Sequence, residues 1–387
     1  MKAACAALAL ILSTTGALAG GACSSGIRTI APAGADYQRK HDTIAHTLLD
    51  NERPTGQVTP QMYAVLDAVI DQARAELPPY PDHPSEAEAE RYGRRALPII
   101  DCVLTANGFV WGEHTVLLLS DGLTPVHAED YREYLTGDLR RNRLVKARAS
   151  HDYYAVDCDT GAFLYLGVAE ALHLPLAFVV IPDHAFVRWM PGALDFETTQ
   201  GTFAAPGAAG EQQRYRPFFL GRRSTYSHRH ELENLTRAQI FGFHHALVAQ
   251  GIRFRLAGKA DPDFTPVLTA FEAAIREDPE LDYPYDEIAW YYTVMRPAPE
   301  KRALALDYAR RAWSLSDEPV NANTLACVRA AQGDFAAATR IEPPPDRLRH
   351  ASDSEIGNRV AAMNADEIAH GKPCSEALAD YTAWGAP

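Results

Sequence analysis

Cys158, His184 and a carboxylate from Glu197 or Asp195 are the residues whose types and order could carry covalent chemistry. A thiol attacks only as thiolate, so a nucleophilic cysteine needs a base or positive surroundings. Cys158 stands in Asp157-Cys158-Asp159-Thr160 at the start of an apolar stretch, where a helix start offers unsatisfied N–H groups and a positive dipole end. A histidine on a neighbouring strand can take the thiol proton. A carboxylate beside that histidine can hold its tautomer and stabilise the imidazolium. Such a trio performs acyl transfer: attack on an amide carbonyl, a tetrahedral oxyanion, and a thioester resolved by water or an amine. Asp157 and Asp159 oppose the thiolate by like-charge repulsion, which leaves more of the activation to His184.

The elements that must position these groups follow from the pattern around them. From Asp159 to His173 the positions Phe163, Leu164, Leu166, Val168, Ala171 and Leu172 mix with small residues, as in a helix buried against a sheet, and Pro175 ends it. Leu176 to Ile181 is an apolar run too short for a typical helix and reads as a central strand. His184 to Trp189 and Leu194 to Thr199 form a hairpin across Met190-Pro191-Gly192-Ala193. If Trp189 pairs with Leu194, Arg188 lies opposite Asp195, Phe186 opposite Glu197 and His184 opposite Thr199. Glu197 is then one diagonal step from the imidazole and Asp195 faces Arg188, whereas a one-residue slip would turn both carboxylates away.

These residues resemble a family. Asp157-Cys158-Asp159-Thr160, Leu172-x-Leu174-Pro175-Leu176, Pro182-x-His184-x-Phe186-Val187-Arg188-Trp189 and Glu197-Thr198-Thr199-x-Gly201 are similar to the core of bacterial transglutaminase-like proteins. The resemblance covers roughly residues 99–251. It implies an α+β, papain-like fold in which a cysteine-bearing helix packs on an antiparallel sheet. It also implies Cys158 as nucleophile, His184 as base and Glu197 or Asp195 as the acid. The family acid usually stands in an Asp-Pro-Thr setting, from which Glu-Thr-Thr departs.

Composition bounds the rest. At 387 residues, 47% hydrophobic and 22% charged, the chain is long enough for two globular domains. Thirty-seven basic against fifty acidic residues give −13, with no Lys/Arg stripe, which argues against nucleic acid and anionic membranes as partners. Lys2, the apolar run Ala3 to Leu12 and Ala17-Leu18-Ala19 read as a cleavable signal peptide over residues 1–19. No later window suits a membrane span. A periplasmic or secreted protein is expected; lipid modification at Cys23 is the weaker reading, because Gly20-Gly21-Ala22 is a poor lipobox. Without Cys5 the mature chain keeps an odd number of cysteines, so at least one thiol stays out of an intramolecular bridge. Cys158 is the choice for it, with Cys23–Cys102 and Cys327–Cys374 as candidate bridges.

Several helices announce their ends. Asp36 to Asp50 is a helix candidate. Thr59-Pro60 reads as an N-cap with proline in the first turn, Ser85 with Glu88 as a capping box for a helix to Ala106 that Pro98 bends or divides, and Thr236 with Gln239 as another for a helix stopping at Gly251. Residues 201–230 read as a long irregular connection. Farther on, Phe271, Ala274 and Pro279 fall at the offsets of the second helix of a tetratricopeptide (TPR) repeat. Phe335, Ala338 and Pro343 repeat the spacing, and Tyr308 and Ala312 form a degenerate copy between them. The expected organisation is a signal peptide over 1–19, an N-terminal helical segment over 20–95, a transglutaminase-like core over 96–255 and an all-α TPR-like region over 256–387. His228-x-His230 and His244-His245 lack zinc spacing and read as exposed loop and helix histidines, so neither metal nor other cofactor is expected.

Two functions remain open at this point. One is an exported thiol-dependent acyl-transfer enzyme, of protease/amidase or transglutaminase type, with a protein or peptide substrate. The other is a catalytically inactive transglutaminase-like fold that binds a protein partner in the cell envelope through its repeats.

Overall fold

The computed structural model describes residues 30–111, 118–126, 153–181, 184–191, 193–204, 230–259, 261–316, 319–341 and 364–374. The segment read as signal peptide, the residues before Cys23, most of the long connection and Pro343 lie outside these residues. The architecture is mixed α/β with two small sheets. The chain divides into two compact units, one of residues 1–180 with 184–206, the other of residues 207–387 with 181–183.

In the first unit α1 is Ile44–Glu52, α2 Pro60–Glu76 and α3 Glu86–Ala106. Helix α1 begins later than the sequence suggests, because the residues before it are drawn to one buried carboxylate. Asp67 Oδ2 accepts from Tyr37 Oη at 2.7 Å and Lys40 N at 2.8 Å, while Oδ1 accepts from His41 N at 3.2 Å. Backbone donors satisfied this way need no helix to pair them. Thr59 caps α2 with Pro60 at its first position, and α3 opens on the expected box, Ser85 N donating to Glu88 Oε2 at 2.9 Å. Pro98 does not divide α3, which buries Leu97, Ile99 and Ile100 around it and stops before Gly108 at φ 88°.

Strand β1 (Phe109–Trp111) pairs in parallel with β3 (Tyr153–Val156), which has the short β2 (Pro125–Val126) antiparallel on its other side. Between β1 and β2 lies a one-turn helix, α4 (Leu119–Gly122), whose first amides donate to the buried Glu52 carboxylate at 2.8 and 2.7 Å. Strand β3 then delivers the chain to α5 (Cys158–Ala171).

Helix α5 is the centre of the unit. Every residue from Thr160 to Ala169 is buried, which fits a helix apolar nearly all round. Gly167 lets α1 approach, since a Cβ there would lie 2.7 Å from Ala45 Cβ. On the sheet side Phe163 meets Phe178 at 5.2 Å and Tyr165 meets Phe196 at 5.6 Å between ring centroids. Those partners belong to the second sheet: β4 (Leu176–Ile181), β5 (His184–Trp189), β6 (Leu194–Glu197) and β7 (Thr202–Phe203), in that spatial order.

The second unit is helical: α6 (Arg237–Leu256), α7 (Thr265–Glu277), α8 (Asp282–Trp290) with a π turn at Tyr291–Met295, α9 (Arg302–Leu315), α10 (Pro319–Ala331) and α11 (Phe335–Ala338). Consecutive helices pair as α6/α7, α8/α9 and α10/α11. Phe271, Ala274, Tyr308, Ala312, Phe335 and Ala338 all fall on the second helix of a pair. Small residues let the helices close in, as where Ala289, Ala305 and Ala309 pack with Leu325 and Val328. Helix α6 runs through Gly251, against expectation: the burial of Val248 and Ile252 on either side outweighs the roughly 1 kcal/mol that a helical glycine costs. Cys327 and Cys374 form the expected disulfide. No helix among the described residues is long and apolar enough to cross a membrane.

Candidate functional site

The turn from β3 into α5 is fixed by a reciprocal cap. Asp157 Oδ1 accepts from Thr160 N at 3.1 Å and from its hydroxyl at 2.8 Å, while Asp157 N donates to Thr160 Oγ1 at 3.0 Å. Cys158 is thereby the first helical residue, part-exposed at the positive end of the helix, and its sulfur is not in a disulfide. Cys102 is disulfide-bonded; the Cys23 half of its expected bridge lies outside the described residues.

The hairpin has the register its four-residue turn implies: Trp189 opposite Leu194, Arg188 opposite Asp195 and Val187 opposite Phe196. Two carboxylates on one strand consequently receive different partners. Arg188 Nε donates to Asp195 Oδ1 at 2.7 Å in a buried ion pair. His184 Nε2 lies 2.7 Å from Glu197 Oε2, with both side chains almost wholly buried. A carboxylate at Nε2 fixes the proton on that nitrogen and leaves Nδ1 as the one suited to accept another.

Two observations bring the thiol end of α5 to the end of this hairpin, and a third is local to the helix start. Thr198, next after Glu197, donates its hydroxyl to the Cys158 carbonyl at 3.3 Å. The Cys158 Sγ donates to Asp159 Oδ1 at 3.5 Å, within reach for sulfur. His184 acts electrostatically on that same Asp159 carboxylate. The electrostatics are those of a crowded acid pair. Burial and the neighbouring Asp159 charge push the Asp157 carboxyl well above the usual carboxylate range, and burial raises Asp159 as well. The Asp159 charge acts on Asp157 from two positions along the chain, so the two carboxyls titrate as neighbours rather than independently.

Trp111 completes the floor. Its ring covers Gly161 so closely that a Cβ there would come within 2.2 Å of Cζ3, with Thr198 Oγ1 at 3.4 Å from the same point. Gly201, the last residue of the hairpin motif, has φ +65° and lies so near the Asp101 carboxylate that a Cβ would meet it at 2.7 Å. Sequence reasoning missed Trp111 and Thr198. A tryptophan directly after the short apolar pair Phe109-Val110 carries no periodic signal, and a threonine hydroxyl has no spacing rule.

The histidines of the second unit behave differently from expectation. His230 and His244 are buried rather than exposed, while His228 lies outside the described residues. His230 sits between Glu233 Oε2 at 3.0 Å and Asp278 Oδ2 at 3.4 Å, and these carboxylates, Asp278 foremost, raise it to about 9. Burial, with the charges of His244 and Arg276, lowers His245 to about 4. Among the described residues no group of three or more His, Cys, Asp or Glu side chains is arranged to hold a metal ion. Comparison with protein-family models and with curated proteins finds no match to this chain.

Proposed function

We propose that Cys158, His184 and Glu197 form a thiol acyl-transfer site of the transglutaminase-like, papain-like kind, acting on amide bonds of proteins or peptides. The observation that carries this reading is the buried 2.7 Å contact of His184 Nε2 with Glu197 Oε2, at the hairpin end that Thr198 ties to the Cys158 carbonyl. In this reaction His184 Nδ1 takes the Cys158 proton, and the sulfur forms a bond to the amide carbonyl carbon. The resulting oxyanion collapses with cleavage of the C–N bond, and the imidazolium returns its proton to the departing amine. Water or a second amine then displaces the sulfur from the thioester, regenerating the thiol. Glu197 holds the imidazole tautomer and offsets the imidazolium charge. Asp195, engaged by Arg188, fastens the hairpin instead.

The paired helices of the second unit support a TPR-like reading, with that unit recruiting a protein partner or substrate, and an exported location fits an N-terminal segment of signal-peptide type. The test is amine or ammonia release from peptide amides by the parent, Cys158→Ala and His184→Ala. Activity should vanish in the first and fall by about 10²–10⁴-fold in the second, the usual contribution of a positioned acid–base group. Undiminished activity in Cys158→Ala would refute the assignment and favour a binding role.

A further inference from the structure

The acid pair flanking the thiol has no part in the triad chemistry, yet one of its members is in contact with the sulfur. Asp157 is committed to its cap, where both the amide and the hydroxyl of Thr160 hold it. Asp159 is committed to nothing of the kind. Its Oδ1 faces Cys158 Sγ at 3.5 Å. Among the described residues the titratable groups around this helix start include Asp157 at the N-cap, Asp159 from α5, His184 from β5 and Glu197 from β6.

We propose that Asp159 is a positioning residue that guards the nucleophile: it accepts the S–H of Cys158 as a hydrogen bond, keeps the resting site in the neutral thiol form, and yields that proton to His184 only when the S–H turns toward the imidazole. The proposal rests on the acyl-transfer reading of the site and adds the group that controls its resting state. A negative charge beside the sulfur disfavours thiolate, and its hydrogen bond stabilises the thiol, so both effects act in one direction. They counter the positive end of α5, which alone would favour the anion. The proton balance is simple. At rest the proton is on sulfur and shared with Asp159; on activation it moves to His184 Nδ1, leaving thiolate and imidazolium. The guard suits a thiol exposed to oxidants, since thiolates and not thiols are the species oxidised.

The experiment is the rate of Cys158 alkylation against pH in the full chain, for the parent, Asp159→Asn, Asp159→Glu and His184→Ala. A unit charge at this separation, even screened as in bulk water, changes the thiol-to-thiolate ratio by about tenfold. Asp159→Asn should therefore label about tenfold faster near neutral pH, with its profile displaced to lower pH, and Asp159→Glu should stay near the parent. An unchanged profile in Asp159→Asn, or slower labelling, would overturn the guard. The His184→Ala arm separates the two readings: if it labels as the parent does while Asp159→Asn is faster, the guard stands and the triad falls. Should Asp159→Asn not fold, the infrared S–H band of the parent, taken as a difference against Cys158→Ser, decides the matter. A hydrogen-bonded S–H band at neutral pH is expected, and its absence would mean a resting thiolate and no guard.

Discussion

Replacing Gly161 by Ala tests how tightly the nucleophile helix is seated. Ordinary carbon contacts lie about 3.5–4.0 Å apart, whereas the new methyl would stand 2.2 Å from Trp111 Cζ3 and 2.3 Å from Cη2. Either the indole or the first turn of α5 must move by more than about 1 Å, and Trp111 is buried, so neither has open space. Overpacking of this kind costs about 1–3 kcal/mol, and alanine in place of a helical glycine returns about 1 kcal/mol. With a ring this close the upper end applies, leaving a net loss of about 2 kcal/mol. For a unit of this size that lowers Tm by about 4–8 °C. The readout is thermal unfolding together with Cys158 alkylation, because the displaced turn carries the thiol three residues away. Trp111→Phe removes the atoms in conflict, so a double-mutant cycle should show coupling of at least about 1 kcal/mol in the relieving direction. A Gly161→Ala protein as stable as the parent, or a cycle that is simply additive, would show that the indole does not pin α5.

Two further expectations concern the second unit. The Cys327–Cys374 bridge spans 47 residues, and loop-closure entropy for that length amounts to about 4 kcal/mol. The double variant Cys327→Ser/Cys374→Ser should lose about 2–4 kcal/mol in denaturant unfolding followed by helical circular dichroism; an unchanged midpoint would contradict this. The pH dependence has two limbs. His230, raised to about 9 from 6.5, contributes stability that is complete below about 6.5 and lost as pH rises through about 9. His245, lowered to about 4, is stable as the neutral ring, and that contribution fades as pH falls from about 6.5 toward 4. Each limb amounts to at most about 3 kcal/mol at 1.36 kcal/mol per pKa unit. Stability of the unit should therefore peak near pH 6.5, with Asp278→Asn flattening the alkaline limb alone. A variant that keeps that limb would clear His230 of responsibility.

The sequence was most informative where local chemistry decides structure. The four-residue turn between His184–Trp189 and Leu194–Glu197 was enough to propose the register, and with it different partners for Asp195 and Glu197. Ser85 with Glu88 and Thr236 with Gln239 marked helix starts because a reciprocal cap joins two residues only three positions apart. Legibility failed where distant segments decide. Strands β1 and β3 are three and four residues long, buried throughout, and pair across a wide gap in sequence; such strands show no alternation to read. The late start of the first helix, at Ile44 rather than Asp36, depends on Asp67, which sits in another helix. The burial of His230 likewise comes from Asp278, which sequence proximity does not reveal. Asp159 was visible as a flanking charge, but only the side-chain geometry shows that it bonds the thiol.

The β5–β6 hairpin keeps its polar pair His184 and Glu197 at one end and its turn at the other. With about 3.3 Å of rise per residue, His184 and Trp189 are separated by about 17 Å. Met190, just beyond, is 45% exposed, the largest exposure of a big apolar side chain among the described residues. The hairpin is thus a stiff handle: a dye, an affinity tag or a surface tether fixed at Met190 is held at a set distance from the imidazole, and reports on the site without occupying it.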